Sequence, residues 1–178
     1  MIQVKSPAPH FEAKALVGKD IKDVKLTDYL SKGKSKGKWV VLFFYPLDFT
    51  FVCPTEIKGF AHEYAEFKKR GAEVIGCSID SQHVHKAWSQ AKDGIGELPF
   101  PLLADITKTI ARDYGVLLEN DGFALRGTFI IDPDGILQYM VVHNTNVGRS
   151  TEETVRVLDA LQAGGLCPVN WQKGQKLL

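Results

Sequence analysis

The hydrophobic residues of the chain follow two patterns, and each pattern predicts a different kind of element. From Trp39 to Pro46, β-branched and aromatic residues follow one another without polar alternation, which is typical of a strand buried on both faces. Ala72 to Ile79 repeats this pattern. Between the two runs, apolar residues recur at the spacing of one helical face. We therefore predict a helix from about Pro54 to Arg70 that ends at Gly71.

The flanking segments extend this alternation of strands and helices. Helical spacing recurs over Gln82 to Lys92 and over Thr107 to Tyr114, and a short apolar stretch, Leu102 to Leu103, lies between them. Residues 1 to 37 contain prolines and a lysine-rich loop, so we predict an irregular segment there. Its one expected regular feature is a helical turn at Leu26 to Leu30.

The last part of the chain predicts a hairpin followed by a helix. Two apolar runs, Ala124 to Ile131 and Ile136 to Val142, flank a turn that contains Pro and Gly, which favours an antiparallel pair. Ser150 and Glu153 have the spacing of a capping box at a helix start. We expect this helix to end at Gly164, because glycine readily adopts the left-handed conformation that terminates helices.

Taken in order, these elements predict an α/β fold, with a mixed central sheet and helices on both faces. The chain has 178 residues, of which 44% are hydrophobic, and this is the length of one domain. We expect a single domain over residues 1–178, with a C-terminal tail from about residue 164 to 178.

Charge and hydropathy exclude several kinds of partner. The 22 Lys and Arg residues nearly balance the 21 Asp and Glu residues, so no overall charge favours a nucleic acid or an acidic membrane. The longest apolar run is far shorter than the roughly 20 residues of a membrane helix. Residues 1–7 show no leader or transit pattern. We expect a cytoplasmic protein with neither a nucleic-acid nor a membrane partner.

Cys53 is the first candidate for chemistry, because it lies where a buried strand passes into a helix. Sites of α/β proteins are found at such strand ends. Pro54 suits the first helical position, which would make Cys53 the N-cap and Glu56 the third helical residue. The unpaired backbone N–H groups and the positive end of the helix dipole would then stabilise a thiolate. Cys53 is therefore a candidate nucleophile.

The other two cysteines have weaker signals. Cys77 lies inside an apolar strand, where burial disfavours the thiolate, so we expect an inert core residue. Cys167 follows the last helix on a tail that could bring a second thiol to the first. From its position alone, Cys167 could resolve an oxidised Cys53 or could be an unremarkable tail residue.

Metal and cofactor sites are not indicated. No His-x-x-x-His or Cys-x-x-Cys pair occurs, and neither a phosphate-binding loop nor a dinucleotide fingerprint is found. We expect no metal and no cofactor, and a surface or supporting role for all five histidines, which are His10, His62, His83, His85 and His143.

Several motifs together resemble one family over nearly the whole chain. The segment Phe44 to Glu56 is similar to the peroxidatic loop of typical two-cysteine peroxiredoxins, the alkyl hydroperoxide reductase and thioredoxin peroxidase group. The matching residues in this segment are Phe-Tyr-Pro and Asp-Phe-Thr-Phe-Val-Cys-Pro-Thr-Glu. The further matches are Ser78 to Ser81, His85 to Trp88, Leu125 to Asp132, Val147 to Ser150, and Cys167 to Trp171.

The resemblance implies a thioredoxin-like fold and a role for each matching residue. Cys53 would be the peroxidatic cysteine, and Cys167 would be the resolving cysteine of the partner subunit. The residues implied around Cys53 are Pro46, Thr50 and Arg126, supported by Tyr45 and by a charge network of Glu56 and Arg149.

The implied activity is that of a thiol peroxidase that reduces hydrogen peroxide and organic hydroperoxides to water and alcohols. The reaction would pass through a Cys53 sulfenic acid and an intersubunit Cys53–Cys167 disulfide. Thioredoxin or a flavoprotein disulfide reductase would supply the electrons. An antiparallel homodimer would form through the edge strand near Gln138 to Val142 and could close into a ring of five dimers.

Two alternatives and one departure from the family pattern remain. The first alternative is a chaperone-like (holdase) ring protein, an activity that some relatives add. The second, a thioredoxin-like disulfide reductase, is disfavoured because no second thiol lies near Cys53 in the sequence.

The departure concerns two features of the family members that are sensitive to hyperoxidation, a Gly-Gly-Leu-Gly insertion and a C-terminal helix with Tyr-Phe. Residues 93–97 only partly match the insertion, and the chain ends at Leu178, eleven residues after Cys167. We therefore expect an enzyme that resists hyperoxidation.

Overall fold

Strands and helices alternate along the chain in the predicted order, with additional short strands. The structure, a computed structural model, describes residues 2–178. The strands are β1 (Glu12–Val17), β2 (Asp20–Lys25), β3 (Trp39–Phe44), β4 (Ala72–Ser78), β5 (Leu102–Ala104), β6 (Leu117–Leu118), β7 (Phe123–Ala124), β8 (Arg126–Ile131) and β9 (Leu137–His143). The helices are α1 (Cys53–Lys69), α2 (Gln82–Gln90), α3 (Thr109–Asp113) and α4 (Thr151–Ala163), with a 3₁₀ turn at Leu26–Asp28.

Seven strands form one mixed sheet, in the order β2-β1-β5-β4-β3-β8-β9, and β6 pairs with β7 in a separate small sheet. The central strands β3, β4 and β5 are parallel. The strands β8 and β9 continue from β3 with antiparallel pairing, and β1 and β2 do so beyond β5. The predicted hairpin of β8 and β9 is therefore confirmed.

Both faces of the sheet are covered, as the unbroken apolar run of β3 predicts. Val40, Leu42 and Phe44 belong to a core cluster that α3 completes, whereas Val41 and Phe43 belong to a second cluster with α1, α2 and α4. The prediction of a mixed sheet with helices on both faces is confirmed. Within residues 2–178, no helix is both long enough and apolar enough to span a lipid bilayer.

The prediction of an irregular N-terminal segment was wrong for residues 12–25. These residues form the antiparallel hairpin of β1 and β2, with Val17 opposite Asp20 across a two-residue turn. Gly18 supplies the positive φ of that turn, at +60°. The outermost strand β2 exposes half of its side chains and is rich in charged residues, so it lacks the apolar pattern of a strand. The 3₁₀ turn at Leu26–Asp28 confirms the predicted helical turn.

The strand predicted from Ala124 to Ile131 is divided in two. The amide of Leu125 donates to the carbonyl of Val116, outside the main sheet, at 2.8 Å. A tight turn from Leu125 to Gly127 then brings the chain back into the sheet as β8. Arg126 and Gly127 interrupt the apolar run at this turn, and this local sign of a break was overlooked in the sequence prediction.

The ends of α4 match the prediction in part. The Ser150 hydroxyl accepts a hydrogen bond from the Glu153 amide at 3.1 Å, and Gly164 ends the helix with a φ of +69°. The Glu153 carboxylate, however, pairs with Arg156. The reciprocal half of the predicted capping box is therefore replaced by an ion pair within the helix.

The tail that follows α4 folds back against that helix. Arg156 of α4 donates to the Trp171 carbonyl at 2.9 Å, and Lys173 pairs with Asp159 at 3.0 Å. The Trp171 side chain is buried. These contacts hold the segment around Cys167 on the surface of its own subunit.

Candidate active site

The helix α1 begins at Cys53 itself, directly after the loop that leaves β3. The N-cap is Val52 and Pro54 is the second helical residue, so the predicted N-cap position of Cys53 was wrong by one residue. A proline at this end costs nothing in hydrogen bonding, because the first amides of a helix lack helical partners. The sulfur still lies at the positive end of a 17-residue helix.

Arg126 places a guanidinium against the Cys53 sulfur. Arg126 Nη1 donates to Cys53 Sγ at 3.4 Å, and its Nε donates to the Thr145 carbonyl at 2.7 Å. The antiparallel pairing of β3 with β8 explains this contact, because Phe43 lies opposite Thr128 and Arg126 therefore lies beside the end of β3. Both side chains are buried. Residues 73 positions apart in the chain thus meet at the sheet's edge.

Glu56 joins two guanidinium groups beside the sulfur. Its Oε2 accepts from Arg126 Nη1 at 2.6 Å and from Arg149 Nη2 at 2.8 Å. Its Oε1 accepts from the backbone amide and from Nε of Arg149, both at 2.9 Å. The contact between Glu56 and Arg149 that the resemblance implied is therefore present.

Arg149 ties the ends of two strands together. Its Nη1 donates to the carbonyls of Phe44 and Gly127, both at 2.8 Å. Burial lowers the pKa of Arg149, and hydrogen bonding to Glu56 opposes that shift. Two arginines against one buried carboxylate leave an excess of one positive charge, and a Cys53 thiolate would balance it.

The loop between β3 and α1 carries the other predicted residues. The Thr50 hydroxyl donates to the Leu47 carbonyl at 2.9 Å, which leaves its oxygen lone pairs free to accept a hydrogen bond. Pro46 is buried. The hydroxyl of Tyr45 donates to Asp48 at 2.8 Å, and burial raises the pKa of Tyr45 well above its usual value. Tyr45 thus supports the loop through Asp48.

The three cysteines are free and lie in different surroundings. Cys77 is buried in β4, where burial and, to a smaller extent, Asp105 raise the pKa of its thiol. The structure therefore agrees with an inert core cysteine. Cys167 is partly exposed, its Sγ lies 3.6 Å from the Ala160 carbonyl, and it lines a groove of about 580 Å³ together with Tyr139. Cys167 does not contact Cys53 within the subunit.

One histidine has surroundings that the sequence interpretation missed. His85 in α2 is completely buried, and its Nδ1 lies 2.7 Å from Oδ2 of Asp48 in the loop. Of the two roles expected for the histidines, this position excludes the surface role for His85 and agrees with the supporting role. The available signal was the spacing of His85 and Trp88, three residues apart on one face of α2, which can pack against a neighbouring loop.

Metal ligands are not gathered anywhere in the described part of the chain. Among residues 2–178, no group of three or more His, Cys, Asp or Glu side chains is arranged to hold an ion. The site's polar groups are instead two guanidiniums, one carboxylate, one hydroxyl and one thiol. This set suits a reaction in which sulfur attacks and a developing negative charge is stabilised.

Comparisons with known proteins agree on one family. The model of the AhpC/TSA family matches residues 4–140. A putative peroxiredoxin, YkuU, of Bacillus subtilis is 51% identical over 96% of this chain and 95% of its own length. A thioredoxin peroxidase of Echinococcus granulosus is 49% identical over 95% of this chain and 88% of its own. The crystal structure of reduced Plasmodium vivax 2-Cys peroxiredoxin superposes with a TM-score of 0.92, at 43% identity, covering 98% of this chain and 91% of that one.

Proposed function

The chain belongs to the AhpC/TSA family and is a peroxiredoxin with a thioredoxin-like fold, an enzyme that reduces peroxides, and from this premise we propose that Cys53 is the attacking residue. The observation that carries the proposal is the 3.4 Å contact between Cys53 Sγ and Arg126 Nη1 at the start of α1. We also propose that the chain forms a single domain, in which residues 164–178 are the tail that carries Cys167.

The first step joins the Cys53 sulfur to the distal oxygen of a hydroperoxide. The thiolate supplies the electron pair for the new S–O bond, the O–O bond breaks, and the departing oxygen takes a proton to become water or an alcohol. The product is a Cys53 sulfenic acid. Sulfur is oxidised and the peroxide is reduced, so the electrons balance without a cofactor.

Arg126 and Thr50 orient the peroxide in this proposal. The Arg126 guanidinium can donate to the departing oxygen, where negative charge develops. The Thr50 oxygen can accept from the O–H group of the hydroperoxide, since its own proton is used at Leu47. Pro46 and the Glu56–Arg149 pair support these groups rather than react.

The second step forms a disulfide between Cys53 and Cys167 of another subunit. The Cys167 thiolate attacks the sulfenic sulfur, the S–S bond forms as the S–O bond breaks, and the departing hydroxide takes a proton to become water. Cys53 is completely buried at the start of α1, so the first turn of this helix must open before another chain can reach it. A thioredoxin-type dithiol then reduces the disulfide, which the name of the Echinococcus relative supports.

The outer strand of the sheet supports the proposed dimer. β9 is the last strand in the sheet order, and within residues 2–178 its outer side is hydrogen-bonded only near Leu137, by Lys5 and Ser6. The strand from Gln138 to Val142 is thus left for a second copy of the chain. Closure of such dimers into a ring is part of the proposal. Neither the comparisons nor the site favours the chaperone-like alternative.

The disulfide gives the direct test. One equivalent of hydrogen peroxide should convert the reduced protein to a covalent dimer on non-reducing electrophoresis, with Cys53 and Cys167 peptides joined in the mass spectrum. Cys167→Ser should stop at a Cys53 sulfenic acid that a dimedone probe traps. A crosslink through Cys77, or an intrachain Cys53–Cys167 bond, would contradict the proposal.

A further inference from the structure

A buried hydrogen-bonded chain ties the loop before Cys53 to α2 and β5. His85 of α2 has no solvent exposure, and its Nδ1 lies 2.7 Å from Asp48 Oδ2. On the other side of the ring, Nε2 lies 3.0 Å from the Leu103 carbonyl. The imidazole therefore bridges the loop on one side and a central strand on the other.

The two oxygen atoms beside the His85 ring determine where its hydrogens lie. The Leu103 carbonyl can only accept, so Nε2 carries a hydrogen. Between Nδ1 and the Asp48 carboxyl there must be a second hydrogen, whichever of the two atoms holds it, because two lone pairs at 2.7 Å would repel. The pair keeps one shared proton, and its removal would leave an uncompensated charge in a buried site.

The other groups around Asp48 complete the attachment. Tyr45 donates to Asp48 Oδ1 at 2.8 Å, and the Asp48 amide donates to Asp80 Oδ2 at 2.9 Å. Ser78 donates to the same oxygen of Asp80 at 2.9 Å. Asp48 is therefore hydrogen-bonded to Tyr45 after β3, to Asp80 after β4 and to His85 in α2. His85 is the contact through which α2 holds this loop residue.

The attached loop has an unfavourable backbone conformation that needs such support. Phe49 has a φ of +54°, in the left-handed region that non-glycine residues rarely adopt. Its ring packs on Trp88, one helical turn after His85, at 5.6 Å between centroids. The next residue is Thr50, whose hydroxyl is held at Leu47. Two side chains of α2, His85 and Trp88, thus contact Asp48 and Phe49, the two residues that precede Thr50.

We propose that His85 is a positioning residue of the peroxidase, and that its shared proton with Asp48 keeps Thr50 and the first turn of α1 in the conformation that captures peroxide. The inference rests on the proposed role of Cys53. When the attachment is lost, the wound conformation is less populated. Capture of peroxide then slows, while the opening that precedes disulfide formation becomes easier.

Two substitutions of His85 separate this role from simple packing. His85→Asn places an amide N–H where Nδ1 lies and can still donate to Asp48, whereas His85→Gln places it where Nε2 lies and can donate only to Leu103. We expect His85→Gln to lower kcat/KM for hydrogen peroxide about tenfold, and His85→Asn to lower it about threefold or less.

A second readout follows the sulfenic acid. At excess peroxide the sulfenic acid takes a further oxygen and becomes a sulfinic acid, with release of water. Because easier opening lets Cys167 capture the sulfenic acid sooner, His85→Gln should form less sulfinic acid per turnover than His85→Asn at equal thermal stability. Equal losses in the two variants, or a larger loss in His85→Asn, would overturn the proposal.

The wild-type protein provides a measurement that does not depend on folding of a variant. In ¹⁵N spectra of the reduced protein we expect His85 to carry a hydrogen on Nε2 and an exchange-protected proton between Nδ1 and Asp48. A His85 ring that exchanges freely or lacks the Nε2 hydrogen would overturn the proposal. Cys53→Ser, assayed alongside, keeps the two claims apart: activity there would contradict the role of Cys53, whatever the His85 variants do.

Discussion

Two cysteines of this protein are equally hidden from solvent and chemically opposite. Cys53 and Cys77 both have 0% exposure. The Cys53 sulfur receives a hydrogen bond from Arg126 and lies at a helix N-terminus, within a cluster that has one excess positive charge. Cys77 is the second-last residue of β4, where burial and, to a smaller extent, the carboxyl group of Asp105 disfavour a thiolate.

The comparison shows that accessibility does not distinguish the cysteine proposed to attack peroxide from the one expected to be inert. Hydrogen-bond donors and the sign of the surrounding charge distinguish them. The same sheet provides both environments, because β4 runs through its centre whereas the start of α1 lies at the end of β3. The predictions below test how far this difference in charge accounts for the difference in function.

The largest effect is expected from removing each sulfur in turn. Cys53→Ala should abolish peroxide consumption, because neither Cys77 nor Cys167 has a guanidinium that donates to its sulfur. Cys77→Ala should keep the wild-type rate within about twofold, since core substitutions remote from a site act mainly on stability. A peroxidase assay with a dithiol reductant measures both. Substantial activity in Cys53→Ala would erase the distinction between the two cysteines.

A smaller effect is expected from removing the charge and keeping the sulfur. Arg126→Met should lower kcat/KM for hydrogen peroxide by roughly 10²–10³, the usual effect of losing one preorganised donor to a developing anion. Arg112→Met is the matched control, because Arg112 forms an exposed ion pair with Glu119. If Arg126→Met reacted as fast as this control, the surrounding charge would not be what activates Cys53.

The smallest effect concerns stability at alkaline pH. Burial, aided by Asp105, raises the pKa of Cys77 above its unfolded value, so the stability linked to its protonated form is complete below the ordinary thiol pKa. That stability declines as pH rises above about 8.5, by up to about 1.4 kcal/mol per pH unit. Cys77→Ala should lack this component.

Urea unfolding of the wild type and of Cys77→Ala between pH 7 and pH 10 measures the difference. Buried Tyr45, whose pKa burial also raises, is common to both proteins and cancels. Tyr114 belongs to the measured difference, because burial and, to a smaller extent, the charge of an ionised Cys77 raise the pKa of Tyr114. The two curves should converge as pH rises. Parallel curves would mean that Cys77 ionises in the folded protein as easily as in the unfolded chain.

The sequence predicted the centre of the fold better than its margins. β3 and α1 have strong apolar patterns because their residues are buried by many neighbours, and both were predicted to within two residues. β2 is an outer strand with only one buried residue, so its pairing with β1 stabilises a segment whose own pattern is polar. The break at Leu125 depends on a contact with Val116 that no local pattern reveals.

The site divides in a similar way. The surroundings of Cys53 could be predicted in part, because the start of a helix after a buried strand is visible in the sequence. Arg126, Glu56 and Arg149 came from the family resemblance, since the pairing of β3 with β8 that joins them cannot be deduced from spacing. His85 was missed because its burial depends on the path of a loop 37 residues earlier.

Pro54 has a consequence for the repetition of the catalytic cycle. Its ring fixes φ near the helical value, so the opened first turn of α1 has fewer backbone conformations than the same turn with another residue. A proline at a compatible position reduces the conformational entropy lost on folding, by about 0.4–1 kcal/mol. In the proposed cycle, the turn would therefore rewind at a lower entropic cost after each reduction of the disulfide, which favours the conformation in which Cys53 contacts the Arg126 guanidinium.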